Sequence, residues 1–379
     1  ADYNLYWRST KISTSPIFNI IIKIKSRKMK FKFYSIFTLV ILSAYMAYGG
    51  NPDRQGQAGA SELLMNPWAR SSGLHSMSTS SVTGVEAMRI NIAGLSRIKN
   101  FEVGLTNCKL YTGTGMNLNS LGLGFKMGKS GALGVEFASL DFGQIPVTTV
   151  NQPGGTGGTF SPSFFQLGVG YSLTYANKIS VGALVRFVSE SIQDVSSSGV
   201  AIDAGVQYVS GTEDNFRLGI SLRNIGSPME FGGEGLTVRR PNPDNAGGVD
   251  YELSYDARGA SFELPSMLNL GTSYDYYVGE ENFIRGLANF TSNAFSKDQI
   301  GAGLEFSFRK LVVLRASYKT DLGSTDTDTR GIYYTGLAGG ASVEVPITKG
   351  GSSNLGIDYA YRSTSVYKGT HNFTLRFSF

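Results

Sequence analysis

The 379-residue chain carries one cysteine, Cys108, and two histidines, His75 and His371. A single cysteine excludes an internal disulfide framework. Neither histidine has metal-ligand spacing to a partner, and no G-x-S-x-G nucleophile elbow occurs, so no metal site and no catalytic triad can be assembled. The chain therefore reads as non-enzymatic and without a cofactor. Long apolar runs are also missing after residue 50, so if the protein spans a membrane it must do so as a closed barrel. Positive charge is scarcer than the formal +5 suggests. Residues 1–49 hold 8 of the 34 Lys+Arg and 1 of the 29 Asp+Glu, which leaves 26 against 28 in the remainder. Nucleic-acid binding loses its main support.

From Met29 the chain reads "MKFKFYSIFTLVILSAYMAYGG": two lysines, a short apolar run, then small residues. This is the pattern of a secretory signal peptide over residues 29–49, with cleavage expected near Ala47 to Gly49. Residues 1–28 read as an upstream extension ahead of the true start. No cysteine stands directly after the cleavage region, which argues against a lipid anchor.

What is abundant is glycine, 48 residues, and aromatics, 12%. That composition suits many short strands and turns. The C-terminal "HNFTLRFSF" puts Phe373, Leu375, Phe377 and Phe379 on one strand face, and Asn372, Thr374, Arg376 and Ser378 on the other. Similar alternation recurs from residue 100 onward, most clearly in "FFQLGVGYSLTYA" and also over 200–208, 216–222, 268–276, 300–308 and 355–361. About fourteen such segments are counted, most near the ~10 residues that a tilted membrane strand needs. Every second connection is short (near 128, 176, 210, 278, 308 and 348), whereas others are long, notably 140–163 and 226–264. A membrane barrel with tight periplasmic turns and long outer loops has this asymmetry. The expected fold is all-β: one transmembrane antiparallel barrel of about 14 strands over residues 100–379, preceded by an N-terminal plug over residues 50–99. The outer membrane is the expected location, and its lipid a partner.

Tyr274, Tyr276 and Tyr277, Tyr171 and Tyr175, and Phe377 and Phe379 fall where an interfacial aromatic girdle would lie, though strand propensity alone also favours them. Phe377 and Phe379 close the chain where outer-membrane barrels carry a signal for their assembly machinery. Gly122, Gly124, Gly168 and Gly170 either let wall and plug approach closely or accommodate strand bending. His75 reads as a polar plug residue in a wet lumen, and His371 as a solvated residue at the start of a strand. By parity Cys108 joins Glu102, Thr106 and Leu110, which favours burial over reactivity. "STDTDTRG" offers Asp326 and Asp328 without a third carboxylate, and "GGTGG" at 154–158 lacks a following Lys-Ser/Thr; both read as loops. The connection 226–264 is long enough to invite a function. It combines Met229, Phe231 and Leu236 with Arg239 and Arg240, the residue types of an interface centre; the alternative is a loop that caps its own barrel.

The stretch "SSGLHSMSTSSVTGVEAMRINIAGL" resembles the N-terminal hatch of FadL-like outer-membrane barrels, with Asn91, Gly94 and Leu95 of "NIAGL" in its closing element and Ile92 where that element has Pro. "ELLMNPWARSSGL", with Pro67, Trp68, Arg70 and Gly73, is similar to the opening of the PorV/PorQ family of the type IX secretion system of Bacteroidetes; "SLRNIGSPMEFGGEGL" and "LPSMLNLGTSYDY" resemble that family's middle strands. The resemblance implies a fourteen-stranded barrel with both termini periplasmic. It also implies partners: the type IX translocon, attachment-complex proteins, and secreted proteins bearing C-terminal signal domains. The leading expectation is docking of translocon or cargo. The other is FadL-like uptake of a hydrophobic small molecule, with an apolar pocket between plug and outer loops and a lateral opening or kinked strand near the plug.

Overall fold

The structure, a computed structural model, describes residues 51–211, 213–242, 251–279, 281–323, 333–347 and 353–379. The expected signal peptide and upstream extension lie outside them. Fourteen antiparallel strands close into a ring: β1 (Phe101–Lys109), β2 (Asn117–Met127), β3 (Gly131–Asp141), β6 (Ser163–Tyr175), β7 (Ile179–Ile192), β8 (Val195–Ser210), β9 (Phe216–Gly226), β12 (Met267–Val278), β13 (Asn282–Asn293), β14 (Gln299–Phe308), β15 (Val312–Asp321), β16 (Tyr334–Pro346), β17 (Asn354–Thr364) and β18 (Thr370–Ser378). Two small hairpins, β4 (Ile145–Pro146) with β5 (Thr159–Phe160) and β10 (Thr237–Pro241) with β11 (Glu252–Asp256), sit in the two longest connections. Pairing of β1 with β18, from Glu102 opposite Ser378 to Lys109 opposite His371, removes the last free edges.

The terminal alternation now has its explanation. Phe373 is 47% exposed, while Asn372 is fully buried. The same inversion holds along β6, where Phe165, Leu167, Val169, Tyr171 and Leu173 are exposed and Phe164, Gln166 and Ser172 are buried. A closed ring that is apolar outside and polar inside is stable only where its outside is not water, so the chain is a membrane barrel.

One end of the ring carries the connections 128–130, 176–178, 211–215, 279–281, 309–311 and 347–353; the other carries 110–116, 142–162, 193–194, 227–266, 294–298, 322–333 and 365–369. At the first end Ala176 and Asn177 take φ of 49° and 56°, the primed-turn geometry that matches strand twist. The 193–194 turn is short although it lies at the long-loop end. There the flanking strands grow instead, to 14 and 16 residues.

Residues 60–98 lie inside the ring, as irregular chain with single helical turns at 61–64, 69–72, 87–90 and 92–97. Their hydrogen bonds reach strands all round it: Ala69 N to Thr374 on β18 (3.0 Å), Trp68 Nε1 to Glu136 on β3 (2.9 Å), Gln207 on β8 to the Val82 carbonyl (3.0 Å), and Ser317 on β15 to the Gly73 carbonyl (3.2 Å). The wall glycines make room for this segment. A Cβ on Gly122 would stand 3.0 Å from the Trp68 ring, one on Gly124 3.1 Å from Val85, and one on Gly170 2.7 Å from Ile92. Gly168 does not share this role, since a Cβ there meets only wall atoms, Leu184 at 3.6 Å and the Glu136 carbonyl at 3.9 Å.

Candidate functional site

At the long-loop end the interior is apolar. Ala60 and Leu63 of the inner segment, Cys108 and Leu110 of β1 and its loop, Leu118, Ala138, Leu140, Phe164, Val188 and Ala201 of β2 to β8, and Met229 and Leu264 of the 226–264 connection form one buried cluster. Strand parity delivers these side chains inward, and the connection folds back to cover them. Met229 and Phe262 exchange backbone hydrogen bonds (2.9 and 2.8 Å), and Phe231 packs on Phe262 at 5.6 Å between centroids. Of the five residues that the sequence offers as a partner surface, Met229 is buried in the cluster, whereas Phe231 and Leu236 are half-buried. Arg239 and Arg240 stand exposed on β10. The structure thus separates the apolar residues of that set from the two arginines.

The inner segment also enters at this end. Gly59 N and the Glu263 carbonyl bond at 3.0 Å, Arg54 pairs with Glu263 at 2.9 Å, and Arg54 lies 4.4 Å above the Phe295 ring. Phe379, in contrast, pairs with Phe101 at the short-turn end. Residues 54–59 therefore meet the long-loop end and Phe379 the short-turn end, and the segment between runs through the lumen once before the first strand starts.

Below the mouth the interior turns polar and charged. Asp275, Arg285, Glu305 and Arg315 stand directly opposite one another on β12 to β15, on the inward face. They form a ladder of alternating sign, with Arg285 on Asp275 at 2.5 and 2.7 Å, Arg285 to Glu305 at 2.9 Å and Arg315 to Glu305 at 2.6 Å. Arg217 adds to Asp275 at one end, and Arg376 holds Glu344 and Asp358 nearby. Cross-strand opposite charges stabilise a sheet, and buried ones need all partners in place. A second cluster joins Arg186 to Asp203 (2.9 Å) and, with Arg89, to Gln166. Arg89 also donates to the Met65 and Glu62 carbonyls. Burial, followed by the charge of Arg186, pulls the Arg89 guanidinium well below its ordinary range. Sequence reading missed both clusters. Their signal is that each of the strand charges shares the parity of the polar strand face; Arg89, on the inner segment, carries no such signal.

The motif residues of the inner segment are all engaged. The Pro67 carbonyl accepts from Thr106 and Asn372 (both 2.8 Å), and Trp68 is fully buried. Arg70 pairs with Glu86 at 2.8 Å, and Gly73 meets Gly340 so closely that a Cβ on it would stand 3.1 Å from the Gly340 Cα. Asn91 donates to the Thr79, Val206 and Ile220 carbonyls and accepts from Ala93 N, tying the segment to β8 and β9. Gly94 packs on the Val82 carbonyl, and Leu95 is fully buried against Gly134. Phe377 faces outward between Val103 and Leu355, and Phe379 stacks on Phe101 at 6.1 Å.

His75 is 5% exposed, edge-on to Tyr334 at 5.6 Å, and is not in open water as expected. Burial, then Lys319 and Arg362, holds its pKa well below the usual value, so it is neutral. His371 faces outward and shares a hydrogen bond with Tyr359 at 2.9 Å. Cys108 is buried. Residues 154–158 lie in an exposed loop, and Asp326 and Asp328 fall outside the described residues. Among the described residues no group of His, Cys, Asp or Glu is arranged to hold a metal.

No protein-family model matches the chain, and no curated protein matches it. Solved structures share its fold. A TodX monoaromatic hydrocarbon channel mutant is 15% identical with a TM-score of 0.51, covering 82% of this chain and 98% of its own. A Pseudomonas aeruginosa FadL homologue is 12% identical with a TM-score of 0.51, at the same two coverages, and the CymD monoaromatic hydrocarbon channel is 13% identical with a TM-score of 0.50, at 83% and 98%. The chain has the fold of FadL-like outer-membrane barrels.

Proposed function

We propose that this protein is a FadL-like outer-membrane barrel that takes up a hydrophobic small molecule at its long-loop mouth. The observation that carries the reading is the apolar cluster inside that mouth, built jointly by the inner segment, the strand ends and the folded-back 226–264 connection. An apolar interior under a loop cover is what binding a water-poor ligand requires, and nothing in membrane spanning alone demands it. Residues 50–99 act as the plug of the 100–379 barrel. Of these, residues 60–98 occupy the lumen, so passage requires them to shift. Two features favour such a shift. The pairing of β8 with β9 slips between Ile202 and Ala204, beside the carbonyls that hold Asn91. A polar recess of about 320 Å³ lies between the segment and β13–β16, lined by Arg70, Ser78, Glu86, Arg285, Glu305 and Lys310 among others.

The test uses Trp68, the single tryptophan after residue 50. The purified barrel is titrated with toluene and with oleate, reading Trp68 fluorescence and the mass of the intact complex. Saturable binding that Leu264→Asp abolishes supports the reading; absence of binding by both probes refutes it.

A second reading is favoured by the β10–β11 hairpin, all of whose strand residues are exposed. Val238, Leu253 and Tyr255 stand there beside Arg239 and Arg240, which suits a protein partner. With the resemblance to PorV/PorQ, that partner would be the type IX translocon, an attachment-complex protein or the C-terminal signal domain of cargo. Mild-detergent affinity purification distinguishes the two. Retention of such proteins by the intact barrel and their loss on deleting 237–256 would favour docking over uptake.

A further inference from the structure

The outer girdle of the barrel has a gap. Following the strand register at one level, the outward residues read Tyr359, Phe373, Asn107, Asn119, Ser139 and Phe165 across β17, β18, β1, β2, β3 and β6. Aromatic rings flank three polar residues. One level toward the short turns the row is Ile357, Leu375, Leu105, Leu121 and Phe137, all apolar. One level toward the long loops it reads Tyr361, His371, Lys109, Asn117 and Asp141, with Lys109 separated from the Asp141 carboxylate by Asn117.

A shallow groove of about 510 Å³ runs along this part of the outward wall, lined by Leu105, Leu121, Phe137, Ile357, Phe373 and Leu375, with Asn107 and Asn119 at its upper end and Lys109 just beyond it. The tall rings of Phe137 and Phe373 form its banks, and the shorter leucines its bed. Asn107 Nδ2 donates to Asn119 Oδ1 at 2.8 Å. That bond leaves the Asn107 carbonyl oxygen and N–H groups of both amides unspent. Polar groups on the lipid face of a barrel are costly unless they find partners.

We propose that this groove is a binding site for one phosphate-bearing, acylated membrane lipid of the leaflet at the long-loop end. The chain lies along Leu105 and Leu121, its ester or amide carbonyl meets the Asn107–Asn119 pair, and its phosphate meets Lys109. The order of chemistry up the wall, apolar, then amide, then cation, is the order of chemistry along such a lipid. The volume falls within the range of sites that hold small molecules. The site is separate from the mouth and does not depend on the uptake reading.

The full barrel is purified in mild detergent, stripped of lipid and titrated with dipalmitoyl phosphatidylglycerol, lipid A or dipalmitoylglycerol, with bound lipid read by native mass spectrometry. One tightly held copy of a phosphate-bearing lipid is expected, and whichever of the two binds more tightly identifies the source. Asn107→Leu with Asn119→Leu, which replaces two polar groups on the membrane face by apolar ones and so keeps the barrel foldable, should weaken retention about tenfold, the worth of one or two hydrogen bonds. Lys109→Ala should weaken the phosphate lipids but not dipalmitoylglycerol, and Leu304→Ala on the distant β14 should change nothing. Equal retention by the wild-type and the double-leucine barrel, equal affinity for dipalmitoylglycerol, or capture of a second barrel at this face in place of lipid would overturn the proposal.

Discussion

Gly219 on β9 stands opposite Gly271 on β12, and both face Thr79 and Ser80 of the inner segment. A methyl on Gly219 would lie 2.6 Å from the Ser80 Cα and closer still to the Thr79 carbonyl oxygen, where ordinary contact begins at 3.4 Å. Backbone lies on both sides, so wall or segment must move by nearly an ångström. Overpacking of this kind costs about 1–3 kcal/mol, against which replacing a strand glycine by alanine recovers about 0.5–1 kcal/mol. The central values leave a net of about 1.25 kcal/mol, charged to the docking of the segment and not to the strand ladder. Gly168→Ala is the control, because its methyl meets only wall atoms, the nearest being Leu184 at 3.6 Å. In hydrogen-exchange mass spectrometry, Gly219→Ala should speed exchange of the peptides covering 77–96 by about eightfold, at 1.4 kcal/mol per factor of ten, with the barrel strands unchanged. Gly168→Ala should be neutral or slower. If the two variants exchange alike, the segment is not held by the close approach described.

Glu305→Ala leaves Arg285 and Arg315 without their shared carboxylate in the interior, and should destabilise the barrel by about 3–5 kcal/mol in urea unfolding. His75 is held neutral when folded, so its unfolded form takes up a proton first as pH falls. Its contribution is intact above the unfolded value of 6.5 and lost below it, by no more than about 1.4 kcal/mol per pH unit, and His75→Asn should flatten stability between pH 6.5 and 5. Cys108 should resist maleimide in the folded barrel and react fully once denatured. Phe379→Ala removes the ring stacked on Phe101 and should lower the fraction of chain that reaches the heat-modifiable, membrane-inserted form.

Much of the architecture is legible in the chain because a two-residue period is local. Phe373, Leu375 and Phe377 share a face whatever surrounds them, and counting such segments yields about fourteen strands without a structure. The short turns announce themselves in the same way through residues such as Gly128 and Asn177. Alternation does not say which face meets water. That follows only from closure, which puts Gln166 and Ser172 inside and Leu167 and Tyr171 out. The charge ladder was hidden for a related reason: Asp275, Arg285, Glu305 and Arg315 lie 10 to 20 residues apart along the chain, and register alone sets them side by side. The loop residues Met229 and Phe231 have the composition of an interface, but whether they face a partner or their own barrel depends on the hairpin formed with Phe262.

Composition and a two-residue period, which act over a few residues, were enough to specify many two-faced strands and a non-strand segment before them. Which face turns outward, that residues 54–63 meet the long-loop end, that an apolar cluster fills the mouth, and that Asn107 and Asn119 meet on the membrane face all depend on the folded ring. Those facts join positions tens to hundreds of residues apart, and ring closure is what brings them within bonding distance.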